Sequence, residues 1–196
     1  MTARVPYVNK ASLAPQHKDL LNKHYTSFAA LANSPECMRA FWSAGAYFQN
    51  ASPLSPRLRE LVLLEIGRTS GCLYEWTHHV KIALACGVTP DEVHLVASSR
   101  GADITSFNPL TRCALRMTRE MYTGLLASTE TIEELKQHLD SKLVTELVTL
   151  AGYYCGMVRV LSTLGVEIEP DYAEYITQFP LPTRVGEVVI AAPSSY

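Results

Sequence analysis

A thiol, a carboxyl group and an imidazole stand three and four residues apart at Cys72, Glu75 and His79. On a helix that spacing puts all three on one face. Such a stripe can move a proton. An imidazole that titrates near neutrality is the natural shuttle, and a carboxyl one turn earlier can orient it or act as its acid partner. Glu60, on the preceding helix, would be a second carboxyl. Two carboxyls near one imidazole in a dry pocket push their pKa values apart, which separates acid from base. Cys72, at a helix N-terminus that would lower its pKa, is a candidate contact or reactive thiol. Tyr74 and Trp76 flank the face as candidate pocket walls, and Arg57 and Arg68 are candidates for anchoring a substrate carboxylate in bidentate fashion. His78 points about 100° away from His79 and reads as a surface or interface residue. Glu75 and His79 could hold a divalent ion with Cys72 or His78, but no second ligand group stands at a telling spacing, so no metal is expected.

Each assignment has a plainer rival. Cys72, Tyr74 and Trp76 also suit core packing, Glu75 suits the first turn of a helix, Glu60 suits a solvated face, and His79 suits a locally satisfied buried histidine.

Two helices must position these groups. Ser55-Pro56 is a cap followed by a first-turn proline, and Leu58, Leu61, Val62 and Leu64/Glu65 recur on one face. A break at Thr69-Ser70-Gly71 leads to a second helix from near Cys72 to Gly87, a left-handed C-terminal residue. Upstream, residues 1–14 read as an extended arm, followed by one helix from Pro15 that includes Leu20, Leu21, Tyr25, Phe28 and Leu31. Asn33-Ser34-Pro35-Glu36 then starts an aromatic-rich helix with Phe41, Trp42, Tyr47 and Phe48. Downstream, helices are expected from Pro90 to about Ala97, from Pro109 to about Leu126, and from Thr129 to Leu139, with 99–107 as a loop. Asp140-Ser141 opens the longest apolar helix, hydrophobic nearly all round and therefore expected at the centre or under a partner subunit. Its Gly152 and Gly156 would let another backbone approach. Beyond Val166 the tail reads as irregular, with β-like alternation only at Val185 to Ala191. The fold class is all-α in a single domain, 1–196. Glu60-Leu61-Val62 echoes Glu146-Leu147-Val148, so a duplicated helical hairpin is one possibility; its second copy would carry Tyr153, Cys155 and Arg159 in place of the reactive groups.

Composition removes several function classes. Net charge is −2 and no basic cluster exceeds isolated pairs such as Arg57/Arg59, so nucleic-acid binding has no electrostatic footprint. No apolar run reaches about 18 residues, so no membrane span is expected, and the N-terminus lacks the apolar core of a secretory signal. Five scattered cysteines without a CxxC pair suit reduced thiols and a cytosolic setting.

The stretch 52–98 resembles the signature of the carboxymuconolactone decarboxylase family. The matching motifs are Leu54-Ser55-Pro56-Arg57, Tyr74-Glu75-Trp76, His79 and Gly87-Val88-Thr89. The resemblance continues more loosely through 17–50 and 108–168, as in longer members. It implies an AhpD-like helical bundle that assembles as a homo-oligomer (trimer, hexamer or dimer), working without a cofactor on a small organic acid or lactone. Related alkylhydroperoxidase D-like proteins carry a Glu and, twelve residues on, Cys-x-x-Cys-x-x-x-His. Those positions fall here on Glu60, Cys72, Glu75 and His79. Glu75 replaces the second cysteine, and a dithiol cycle needs both thiols. The leading expectation is therefore a lyase or isomerase using His79, Glu75 and Glu60 on a lactone, oxo-acid or aromatic/polyketide-derived metabolite. The alternatives are a Cys72-dependent hydroperoxide reductase and a non-catalytic oligomeric ligand-binding protein.

Overall fold

A computed structural model describes residues 3–98 and 105–182. Part of the expected 99–107 loop and the Val185 to Ala191 alternation fall outside the described residues. Nine α-helices follow one another: α1 Thr26–Leu31, α2 Pro35–Asn50, α3 Pro56–Ser70, α4 Leu73–Ala85, α5 Pro90–Ser98, α6 Pro109–Thr123, α7 Thr129–Lys136, α8 Ser141–Leu164 and α9 Ala173–Gln178, among the described residues. Short 3-10 turns cover Lys10–Ser12, Pro15–Leu21 and Pro170–Tyr172. No strand occurs among the described residues, so the chain is all-α.

The hub is α3, buried without interruption from Leu58 to Gly67 and packed against α4, α5, α6 and α8. The longest helix, expected at the centre or under a partner subunit, is thus not the hub. By length and composition α8 could cross a membrane, yet it packs on α3 and α6 through Leu147, Leu150, Tyr154, Met157, Val158 and Leu161. Its other side, including Gly152 and Gly156, is exposed. Among the described residues, no backbone of another element comes within 4 Å of a Cβ placed on either glycine. Because α8 runs unbroken for 24 residues, it is no second copy of the α3–α4 hairpin. Its Glu146 meets Tyr47 and Ser52 near the surface.

The α3–α4 hairpin turns on Gly71, whose φ of +68° suits glycine. Close packing behind it depends on Gly67: a Cβ there would lie 3.0 Å from the Trp76 backbone. Cys72 is the N-cap residue of α4 rather than part of its first turn.

Two expectations at the ends are revised. The single helix from Pro15 is broken into a 3-10 turn and α1, because Tyr25 is extended and Glu169 caps the new start, accepting from Thr26 N–H at 2.6 Å. The tail read as irregular holds a turn and α9 instead, and Trp76 Nε1–H ties it down by donating to the Phe179 carbonyl at 2.7 Å.

Candidate active site

Antiparallel packing of α3 on α4 brings Glu60 to the stripe that Glu75 and His79 form one turn apart. His79 Nδ1 lies 2.7 Å from Glu60 Oε2, and His79 Nε2 lies 3.2 Å from Glu75 Oε1. Arg59 Nε–H donates to the other oxygen of Glu60 at 2.8 Å, and Arg59 also donates to the Phe48 carbonyl at 3.2 Å. All four side chains are buried. Glu60 therefore spends both oxygens on fixed cationic partners. Glu75 does not: its Oε1 is buried and accepts no aligned hydrogen bond. A buried carboxylate oxygen left in that state is costly, and it is the loose end of the network.

Charge governs how the imidazole titrates. Burial alone would depress His79, but Glu75 and Glu60 together outweigh it and push its pKa up to about 10. Burial likewise raises Glu60, and the His79 and Arg59 charges outweigh it, leaving this carboxyl below its ordinary range. The expectation of an imidazole titrating near neutrality is corrected. At neutral pH His79 is a cation between two carboxyl groups, poised to donate a proton rather than take one.

A cavity of about 250 Å³ opens on this network. His79 and Glu75 line it beside Tyr74, His78 and Ile82 of α4. Across it stand Phe28 and Trp42, packed edge to face at 4.6 Å. Tyr154 of α8 sets its ring edge-on to His79 at 5.5 Å and accepts a hydrogen bond from Gln49 at 2.9 Å. Lys23, Gln49 and Asn50 supply polar groups toward the rim.

The structure does not gather every residue the sequence nominated. Cys72 is buried against the α8 side of the core and does not line the cavity. Burial, with Glu75 adding to it, raises its thiol pKa, so the lowering expected from a helix N-terminus is overturned. Trp76 is wholly buried in a separate cluster with Val80, Leu115 and Phe179. Arg57 binds Glu92 and the Gly87 carbonyl, tying α3 to the start of α5. Arg68 joins Arg119 on the buried Glu65. Neither arginine lines the cavity. Among the described residues no three His, Cys, Asp or Glu side chains are grouped as a metal would require.

His78 is the largest revision. Rather than facing outward, it is buried with its Nε2 2.6 Å from Glu169 Oε2 and its ring stacked between Tyr74 at 4.2 Å and Tyr172 at 3.9 Å. Burial raises Glu169, but its hydrogen bonds from His78 and the Thr26 backbone outweigh that and hold it near 2. A sequence signal existed: Glu169-Pro170-Asp171 has the same polar-proline-acid form as the helix starts at Pro35 and Pro90. Arg59, Gln49 and Tyr154 gave no such signal, since only tertiary packing brings them to His79.

Fold and site together define an all-helical AhpD-like protein built around a carboxylate–imidazole–carboxylate network. Residues 35–120, the segment from α2 to α6 that supplies Glu60, Glu75 and His79, match the profile of the Carboxymuconolactone decarboxylase family. No curated protein matches the chain in sequence. Among solved structures it is similar to an uncharacterized peroxidase-related protein with an alkylhydroperoxidase AhpD core from Ralstonia eutropha, with TM-score 0.74, 15% identity, and coverage of 92% of this chain and 98% of that one. It is also similar to the debrominase Bmp8 in complex with 2,3,4-tribromopyrrole, with TM-score 0.75, 15% identity, and coverage of 91% and 98%. At that identity the likeness is one of fold.

Proposed function

We propose that this chain is a cofactor-free lyase or isomerase that moves a proton on a small conjugated organic acid or lactone. One observation carries the proposal: an imidazole set between Glu60 and Glu75, whose charges push its pKa up to about 10, faces a cavity walled by aromatic rings. Packed at the interior density of about 0.75, that cavity holds roughly 190 Å³ of ligand, the bulk of a one- or two-ring compound. Glu75 and Glu60 disfavour a substrate with several negative charges close to His79, whereas the aromatic walls suit a planar ring.

In the decarboxylation branch, the bond to the substrate carboxylate breaks and CO2 leaves. The electron pair enters the conjugated system as a dienolate, and His79 Nε2–H delivers the proton to carbon. His79 then regains a proton from solvent, with Glu75 restoring the charge pairing. In the isomerisation branch, Glu75 takes a proton from one carbon and His79 returns one to another. Both branches use the acid that the two carboxyls create, and neither uses Cys72.

The test is turnover on a panel of conjugated oxo-acids and unsaturated lactones, followed by CO2 release and by deuterium incorporation from D2O. His79→Gln and Glu75→Gln are expected to lower the rate by about 10²–10⁴-fold, the usual span of general acid–base catalysis. Full activity in His79→Gln defeats the proposal. Loss of organic-peroxide reduction in Cys72→Ser alone would establish the thiol reading instead.

A further inference from the structure

We propose that His78, braced by Glu169, is the group that grips the substrate's carboxylate or enolate oxygen. This rests on the acid–base role given to His79, and it fills a gap in it. A negatively charged substrate oxygen inside an apolar cavity needs a donor. The arginines that could have served, Arg57 and Arg68, are committed elsewhere. Among the described residues no arginine lines the cavity, and Lys23 is exposed. His79 already faces two carboxyls, which repel an anion.

His78 has what an anchor needs. It lines the cavity, and it immediately precedes the proton donor His79 on α4. Its Nε2 is fixed by Glu169 at 2.6 Å. Glu169 is itself immobilised, since its other oxygen accepts from Thr26 N–H at 2.6 Å and from the Tyr74 hydroxyl at 3.2 Å. Beside a carboxylate oxygen, Nε2 carries hydrogen, so Nδ1 is the ring atom left for a ligand. No protein hydrogen bond to Nδ1 is present among the described residues. The two tyrosine rings that sandwich it fix the plane of the imidazole. With a proton on each ring nitrogen, Nδ1–H donates a charge-assisted hydrogen bond to substrate oxygen. A residue that merely clasped the tail to α4 would need Nε2 alone.

Calorimetric titration of the full chain with 2-naphthoate and its neutral isostere 2-naphthamide separates the two roles. Wild type is expected to bind the carboxylate about tenfold more tightly than the amide, on the scale of one charge-assisted hydrogen bond. His78→Gln removes that preference and leaves naphthamide binding unchanged. Glu169→Gln, which still offers an oxygen to Thr26, weakens naphthoate binding by less, and Lys23→Gln changes neither ligand by more than about twofold. Equal weakening of both ligands in His78→Gln would mean a collapsed wall and overturns the proposal. So does unchanged naphthoate affinity in that variant, or the lack of a carboxylate preference in wild type. The acid–base reading is judged separately by turnover in His79→Gln, so either idea can fail without the other.

Discussion

Replacing Glu60 by glutamine probes the buried network most directly. The carboxylate accepts on both oxygens, from Arg59 at 2.8 Å and from His79 at 2.7 Å. An amide has one acceptor oxygen and one NH2, so one of the two donors must lose its partner. Breaking one side of a buried ion pair costs about 3–5 kcal/mol. Glutamine keeps the shape and one of the bonds, and Arg59 retains the Phe48 and Gln49 carbonyls, so the expected loss is roughly 2–3 kcal/mol. The pH dependence has a definite sign. His79 is raised from 6.5 to about 10 in the folded state, so its contribution is complete below 6.5 and fades as pH climbs through that window. Glu60 is depressed from 4.5, so its contribution is present above that value and is lost on acidification. Without Glu60, one of the two carboxyls that raise His79 is gone, and the alkaline limb should flatten. Urea unfolding across the window measures this, with wild type losing up to about 1 kcal/mol per pH unit. Buried thiols and phenols steepen both curves at the alkaline end, so the difference between the proteins carries the His79 signal. A variant as stable as wild type at neutral pH, with the same alkaline slope, would refute an ionic Glu60–His79 pair.

Two further outcomes follow from the same packing. Cys72→Ser should leave turnover within about twofold, and Cys72 should react with iodoacetamide more slowly than the exposed Cys37, because burial and Glu75 hold its thiol protonated; rapid, selective alkylation of Cys72 would contradict this. Gly45→Ala should cost about 1–3 kcal/mol, since its Cβ would lie 2.8 Å from the Tyr153 hydroxyl. That hydroxyl is buried without a hydrogen-bond partner, so Tyr153→Phe alone should be nearly neutral and should rescue Gly45→Ala in a thermal-unfolding cycle.

The helices legible in the sequence were those whose punctuation is local. Ser55-Pro56, Asn108-Pro109 and Asp140-Ser141 each open a helix at the expected place, and Gly87 adopts the expected left-handed φ of +83°. The i, i+4 placement of Glu75 and His79 follows from helix geometry alone. Features set by distant partners were not legible. Glu169 starts α1 from 143 residues away, which no local pattern could announce. Burial decided the rest. Arg59 carries no motif that announces burial, yet it lies inside and balances Glu60. Cys72 and Trp76 have reactive or amphipathic side chains, yet they went to the core for their apolar volume.

One substitution relative to the dithiol pattern accounts for much of the site's electrostatics. A carboxyl at position 75 adds negative charge beside both Cys72 and His79, and the same charge acts on them in opposite ways. It raises the thiol's pKa, which removes the thiolate needed for attack on a peroxide. It also raises the imidazole's, which turns a group able to accept a proton near neutrality into one that holds it until about pH 10. Thiol chemistry therefore loses its nucleophile at the step where acid chemistry gains its donor. Arg59 keeps that arrangement from becoming an excess of buried negative charge, because it neutralises Glu60 from behind and leaves Glu75 to face the cavity. The position most worth exchanging is accordingly Glu75. Glu75→Cys rebuilds the Cys-x-x-Cys spacing with Cys72 and takes away half of the carboxyl pair around His79. It should lower the His79 pKa and return Cys72 toward ordinary thiol reactivity, at the expense of proton delivery.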